Sequence, residues 1–345
     1  MDQPDNVRQS DSLRVGLIAD AEGVARLGPA LASAPVEIVA QSGMRQPAAL
    51  PDAEWFDDAR VMISRSGVEA LLLAISPRAA FELDALAADR KLPIWRLPPL
   101  ARNFAEATEL AGRVRERKTP YRVASWWEAI GEHVRWGLRW REGFKPLLTN
   151  LQVAVAGPGL DSWRSSQVDA PGGVLATDAY FMLEALVAVR KLPDTVRGAA
   201  LQVRRRPDQA PRETEGAVTA ILDYEGGGAA SLLATWDVHP FGLSCAHHGA
   251  QCSVVLEPQR VSIHGSEGEL LDERTFDPNG FLGEDLQRFV ADVREGHAPE
   301  SQERNIERHT AVTACLQAIY LSARTGQPES PKKLYEVQQW PEPRL

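Results

Sequence analysis

The chain has 345 residues, 44% of them hydrophobic and 25% charged, the balance of a globular protein long enough for two domains. A net charge of −9 excludes a broadly basic nucleic-acid surface, and the short run Arg204-Arg205-Arg206 reads as a solvated strand edge. No apolar stretch reaches the roughly 18–20 residues of a membrane helix, the polar start shows no h-region, and three cysteines supply no disulfide framework, so a cytoplasmic setting is expected.

Residues 1–12 read as a disordered lead-in. Leu13–Ile18 forms a first strand, followed by a turn, a helix to about Ala34, and a second strand at Val36–Ala40. Val68–Ile75 is an apolar, buried strand that Ser76-Pro77 stops. Helical spacing follows over Ala79–Arg90, then a strand at Leu92–Trp95, a helix at Ala105–Lys118 and a strand at Tyr121–Ala124. Alternating β and α elements over 13–124 predict a Rossmann-like, doubly wound parallel sheet.

The pattern changes at residue 125. Glu128–Phe144 is a helix rich in tryptophan and arginine, Leu151–Ala156 alternates like a strand, and Val174–Val189 is a long apolar helix. Strand candidates then crowd together at Gly198–Arg204, Glu215–Tyr224, Ala229–Trp236, Ser253–Leu256 and Arg260–His264. Leu282–Glu295 and Ile306–Thr325 close the chain as helices. Runs of strands with few helices between them predict an α/β domain over 125–330 with an open, largely antiparallel sheet. Residues 331–345 are left as a C-terminal tail.

Five stretches carry a resemblance: Val68–Ala101, Trp163-Arg164, Gly172-Gly173 opening an apolar helix, His264-Gly-Ser-Glu-Gly268, and Asp285–Val290 through Arg294-Glu-Gly296 with Ala323–Pro328. In kind and order they resemble the glucose–fructose oxidoreductase/inositol dehydrogenase (Gfo/Idh/MocA) family over roughly residues 13–330. That resemblance implies a dinucleotide-binding first domain and hydride transfer in the cleft between domains. It also implies assembly through the free face of the second domain's sheet.

The residues at the expected sites depart from that pattern. A dinucleotide turn needs glycines for a tight bend and close approach to the pyrophosphate. Here Ala19 and Ala21 stand near those positions with Asp20 and Glu22 beside them, and Gly23 could restore part of the turn. Two carboxylates repel a pyrophosphate. After the second strand, Ser42 and Arg45 suit a 2′-phosphate rather than bare ribose hydroxyls, so a surviving site would take NADP, with Ser76 and Pro77 at the next βα turn; a polar loop is the plain alternative. The resemblance implies a catalytic lysine in a Glu-Lys-Pro turn, and Leu97-Pro98-Pro99 stands there instead. Arg96 nearby cannot deprotonate and would serve only as an electrostatic replacement.

The family's aspartate and histidine on the helix after the glycines align with Thr177 and Phe181. Asp178 and Tyr180 lie one residue away from each, about 100° round a helix. Tyr180 is therefore either a proton donor oriented by Asp178 or a core or interface tyrosine. Phe81 also replaces a histidine that often follows the Ser/Thr-Pro turn.

Two clusters stand apart. His239, Cys245, His247 and Cys252 gather donors that suit zinc, although strand alternation opposes their convergence and a hairpin extension for subunit packing explains them as well. Trp126, Trp127, Trp136 and Trp140 interleave with Arg135, Arg139 and Arg141, as in a partner interface or at a domain junction. Together these readings predict an oxidoreductase-like protein without a bound cofactor, acting as a non-catalytic subunit, scaffold or sensor of a sugar-like ligand. It would form a homo-oligomer, or a hetero-oligomer with an active paralogue. The alternative is an active NAD(P)-dependent oxidoreductase with a rearranged site.

Overall fold

A computed structural model describes residues 12–43, 52–117, 119–202, 210–277, 280–296 and 300–343. Residues 1–11 of the lead-in, Arg45 and the triple-arginine run lie outside the described residues. The first part of the chain runs β1 (Leu13–Ala19), α1 (Ala21–Ser33), β2 (Val36–Ser42), β3 (Glu54–Phe56), α2 (Ala59–Arg65), β4 (Ala70–Ala74), α3 (Pro77–Asp89), β5 (Ile94–Arg96), α4 (Phe104–Arg117) and β6 (Tyr121–Val123). These strands form one parallel sheet in the order β3-β2-β1-β4-β5-β6. Every residue of β4 is buried, which is why its sequence is unbroken Ala and Leu: helices cover both faces. The strand order reverses between β1 and β4, the point at which open α/β sheets form a crevice at the carboxyl ends of their strands.

The second part runs α5 (Trp126–Arg139), β7 (Leu148–Val155), α6 (Tyr180–Arg190), β8 (Thr195–Leu201), β9 (Ala217–Asp223), β10 (Ala229–Trp236), β11 (Gly242–His248), β12 (Cys252–Glu257), β13 (Arg260–Gly265) and β14 (Leu270–Thr275). Helices α7 (Phe281–Glu295), α8 (Glu300–Thr325) and α9 (Pro331–Val337) follow. The eight strands order as β14-β13-β12-β11-β7-β10-β9-β8. All neighbours are antiparallel except β7 and β10, which are parallel. Val218, Ala220, Leu222, Leu232 and Ala234 bury one face against α6 and α8, while Thr219, Ile221, Ser231 and Leu233 face out. The fold class read from the sequence is the one observed.

Several elements differ from expectation. The apolar helix begins at Tyr180 rather than Val174. The carboxylate of Glu215 accepts the N–H groups of Gly173 (2.6 Å) and Leu175 (3.4 Å) and holds the preceding segment in turns. The His239–Cys252 segment enters a hairpin, but that hairpin is β11–β12 inside the sheet rather than an extension from it. Half of it is β11, a central strand hydrogen-bonded to β7 on one side and β12 on the other. The presumed tail carries α9, whose Tyr335 packs edge-on against Phe104 at 4.6 Å. The short elements β3 and α2 and the exposed edge strand β14 have no counterpart in the sequence reading.

The late helices bind the two sheets together. In α7, Asp285 accepts Trp95 Nε1 (2.8 Å) and Arg122 Nε (2.9 Å). In α8, the Asn305 amide accepts Val123 N–H (3.1 Å) and donates to Val123 C=O (3.0 Å), capping the free edge of β6 with a side chain. Trp126 and Trp127 are core residues of α5. Trp136 packs under the Arg274 guanidinium at 4.3 Å, and Trp140 is exposed. The aromatic cluster thus divides between core and surface.

Candidate functional site

The crevice at the ends of β1, β4 and β5 is built first by the β1–α1 turn. Only Asp20 separates strand from helix. Its side chain caps α1 by accepting Gly23 N–H at 2.6 Å, and its own N–H goes to Ala74 C=O at 3.3 Å. Burial raises the Asp20 carboxyl above its ordinary value, opposed by the Gly23 N–H and assisted by neighbouring Glu22. A Cβ on Gly23 would sit 2.1 Å from Ala74 C=O, so this glycine lets α1 lie close on β4. That is one of the three tasks glycines perform in a dinucleotide turn. Neither Ala19 nor Ala21 has a positive φ, and the N–H that would face a phosphate at Gly23 is already occupied.

Glu22, in the first turn of α1, reaches across the crevice. It accepts Ser162 Oγ–H at 3.0 Å and pairs with Arg164 at 2.5 Å. Arg164 in turn holds Asp178 at 2.6 Å, and Asp178 accepts Trp236 Nε1–H at 2.8 Å. Arg26 lies beside this chain, its guanidinium pulled down by burial and held up chiefly by Asp178. The loop that carries Ser162 and Arg164 is anchored behind by Arg212, which donates to Pro158 C=O (2.8 Å) and pairs with Asp237 (3.1 Å). One continuous hydrogen-bonded chain therefore runs from the first helix to the second sheet.

Asp178 and Tyr180 face different partners. Tyr180 is fully buried, its hydroxyl 2.9 Å from His309 Nδ1 on α8, with the two rings stacked at 5.7 Å. Burial pushes the phenol far up, and Glu184 adds to it. Arg96 does not stand in for a lysine at the crevice. It is buried against Asp84 (3.0 Å), Tyr121 Oη (3.2 Å) and Pro99 C=O (3.1 Å), because the end of β5 turns this side chain toward α3. Thr177 spends its hydroxyl on Gly173 C=O at 2.8 Å, and Phe181 packs on Phe281 at 5.4 Å. Ser42 is buried at the end of β2 beside Ile18. Ser76 caps α3 through Ala79 N–H at 3.3 Å, with Pro77 as its first residue.

The four metal-ligand candidates do not converge: among the described residues no group of three or more His, Cys, Asp or Glu is arranged to hold a metal ion. Cys245 Sγ lies 3.7 Å from His247 Nε2 and His247 Nδ1 3.0 Å from Thr149 Oγ1, all inside the core. His239 stacks on Phe241 at 4.1 Å.

A second charged group was not anticipated. Glu184 on α6, fully buried, accepts from Ser125 and from Arg308 Nε (2.9 Å), and Arg308 also reaches Glu128. Burial pushes the Glu184 carboxyl up, and Arg308 opposes the shift. The signal was present in the sequence as one acid inside the apolar run Tyr180–Val189, but its partner lies 124 residues away. Ser162 and Trp236 likewise carried no local signal, and Arg164 appeared only as part of a Trp-Arg pair.

No protein-family model matches this sequence, and no curated protein does. Solved structures share the fold across nearly the whole chain. Levoglucosan dehydrogenase in complex with NADH and levoglucosan superposes with a TM-score of 0.76 at 15% identity, covering 92% of this chain and 99% of that one. GenD2 from gentamicin A biosynthesis, in complex with NAD, gives 0.75 at 16% identity over 93% and 96%. Aldose-aldose oxidoreductase from Caulobacter crescentus, complexed with glycerol, gives 0.72 at 15% identity over 92% and 99%. At these identities the likeness establishes the architecture, that of oxidoreductases with a Rossmann-type domain.

Proposed function

We propose that this chain is a divergent Gfo/Idh/MocA-type oxidoreductase homologue that has lost hydride transfer and acts as a non-catalytic subunit, scaffold or ligand sensor. The observation that carries this reading is the Glu22–Arg164–Asp178 chain. It sets the protein's own charges beside the start of α1, where Asp20 already takes the Gly23 N–H and where a pyrophosphate would otherwise gain from the dipole and free N–H groups. The residues aligned with the family's acid and base are an inert threonine and a phenylalanine, and no titratable group takes the lysine's place in the Leu97-Pro98-Pro99 turn. On this reading residues 13–124 are the dinucleotide-type domain and 125–330 the second domain. Leu148, Ile221 and Leu233, exposed on the second sheet, support assembly with a like chain or an active paralogue. Three free cysteines, all buried, support a reducing, cytoplasmic setting.

A second reading is kept because solved structures of this fold hold NADH or NAD. In it the crevice opens, the chain takes NADP, and Tyr180 with His309 handles the proton. Titration of the purified protein with NADPH and NADH, followed by nicotinamide fluorescence, separates the two. The first reading expects no saturable binding up to millimolar cofactor. Saturation at micromolar concentration overturns it, and Tyr180→Phe then tests the proton donor.

A further inference from the structure

Where α4 starts beside α8, the two domains enclose a recess of about 250 Å³, apart from the crevice described above. Leu316, Leu321 and Pro171 form its apolar wall, Arg102, Thr313 and Tyr320 line it as groups already bonded elsewhere, and Asn103, Gln317 and Arg324 contribute its remaining polar groups. Those polar groups share one property. The Asn103 side-chain carbonyl accepts Glu106 N–H at 2.9 Å, and that of Gln317 accepts Phe104 N–H at 2.7 Å. A backbone N–H only donates, so both amides are fixed with their NH₂ ends as the unspent ends. Among the described residues neither NH₂ group has an acceptor, and the Arg324 guanidinium has neither an ion pair nor a hydrogen bond.

The acceptors and remaining hydroxyls are already engaged. Glu106 is held by the Arg102 fork at 2.5 and 3.0 Å, Tyr320 Oη donates to Glu215 at 2.8 Å, and Thr313 Oγ1 donates to His309 C=O at 2.9 Å. What the recess offers a ligand is therefore two amide donors, the Arg324 guanidinium and a short apolar wall, with the Arg102 guanidinium held by Glu106. Only an acceptor-rich anion with a small carbon body satisfies that set. The volume lies just under the range of about 300–1,000 Å³ typical of drug-sized sites.

We propose that this recess binds a small carboxylate- or phosphate-bearing metabolite across the domain junction. The site stands on its own geometry and holds whether or not the chain binds a dinucleotide. Isothermal titration of the full chain with succinate, with inorganic phosphate, and with erythritol as the uncharged control tests it. Saturable binding of succinate or phosphate, and none of erythritol, is expected. Succinate alone would identify a carboxylate ligand and phosphate alone a phosphate ester. Gln317→Glu keeps the acceptor for Phe104 N–H while replacing the donor by a repelling carboxylate. It and Arg324→Gln should each weaken binding by roughly tenfold or more, with thermal midpoints unchanged. No saturable heat from either anion, binding indifferent to both substitutions, or equal binding of erythritol would overturn the proposal.

Discussion

At the scale of single residues, the β1–α1 turn shows how one position separates architecture from chemistry. Gly23 is needed because helix and strand approach so closely that a Cβ would sit 2.1 Å from Ala74 C=O. Asp20 and Glu22 belong to the other side of the ledger, occupying donors and crossing the crevice. Gly23→Ala should therefore cost stability through the packing of α1 on β4. Overpacking against backbone places the loss at about 1–3 kcal/mol, read as a lowered midpoint in urea denaturation. A midpoint equal to wild type would mean that α1 shifts freely on the sheet. The glycine was legible in the sequence, whereas the use of Glu22 was not. Its partner Arg164 stands far along the chain, and local spacing carries no record of such a pairing.

At the scale of elements, α6 and α8 are joined through buried charge. Glu184 and Arg308 are 0% and 9% exposed, so removing one partner strands the other in a low-dielectric interior. Arg308→Met is expected to lower apparent stability by about 3–5 kcal/mol, and adding Glu184→Leu should recover part of it, measured by denaturant midpoints. If the single substitution is neutral, the pair is not held as described. Strand β11 gives a pH signature of the same kind. Burial pulls the His247 imidazole down to about 3, with Arg190 and His248 adding to the fall. The unfolded chain binds a proton there below its ordinary value of 6.5 while the folded chain does not, so this histidine costs stability as pH falls. Between those two values, the stability of wild type relative to His247→Gln should drop by about 1.4 kcal/mol per pH unit. A gap independent of pH would show His247 to be solvated.

At the scale of the whole molecule, the late helices return to the first domain. Asp285 and Asn305 clasp β5 and β6, so both the Glu22 crevice and the α4–α8 recess lie between parts brought together only by the complete chain. The sequence by itself determined the order and type of the long elements, because hydrophobic period and turn chemistry act within a few residues. Unbroken apolar strands marked the parallel sheet, and alternation marked the antiparallel one. Tertiary structure alone decided where the charges went. It turned Arg96 inward to Asp84, separated Tyr180 from Asp178, made β11 a central strand and left His239, Cys245, His247 and Cys252 without a common metal-holding arrangement among the described residues. Those outcomes depend on which faces meet across more than a hundred residues, and an ion pair or a cavity is a property of that meeting rather than of any stretch of sequence.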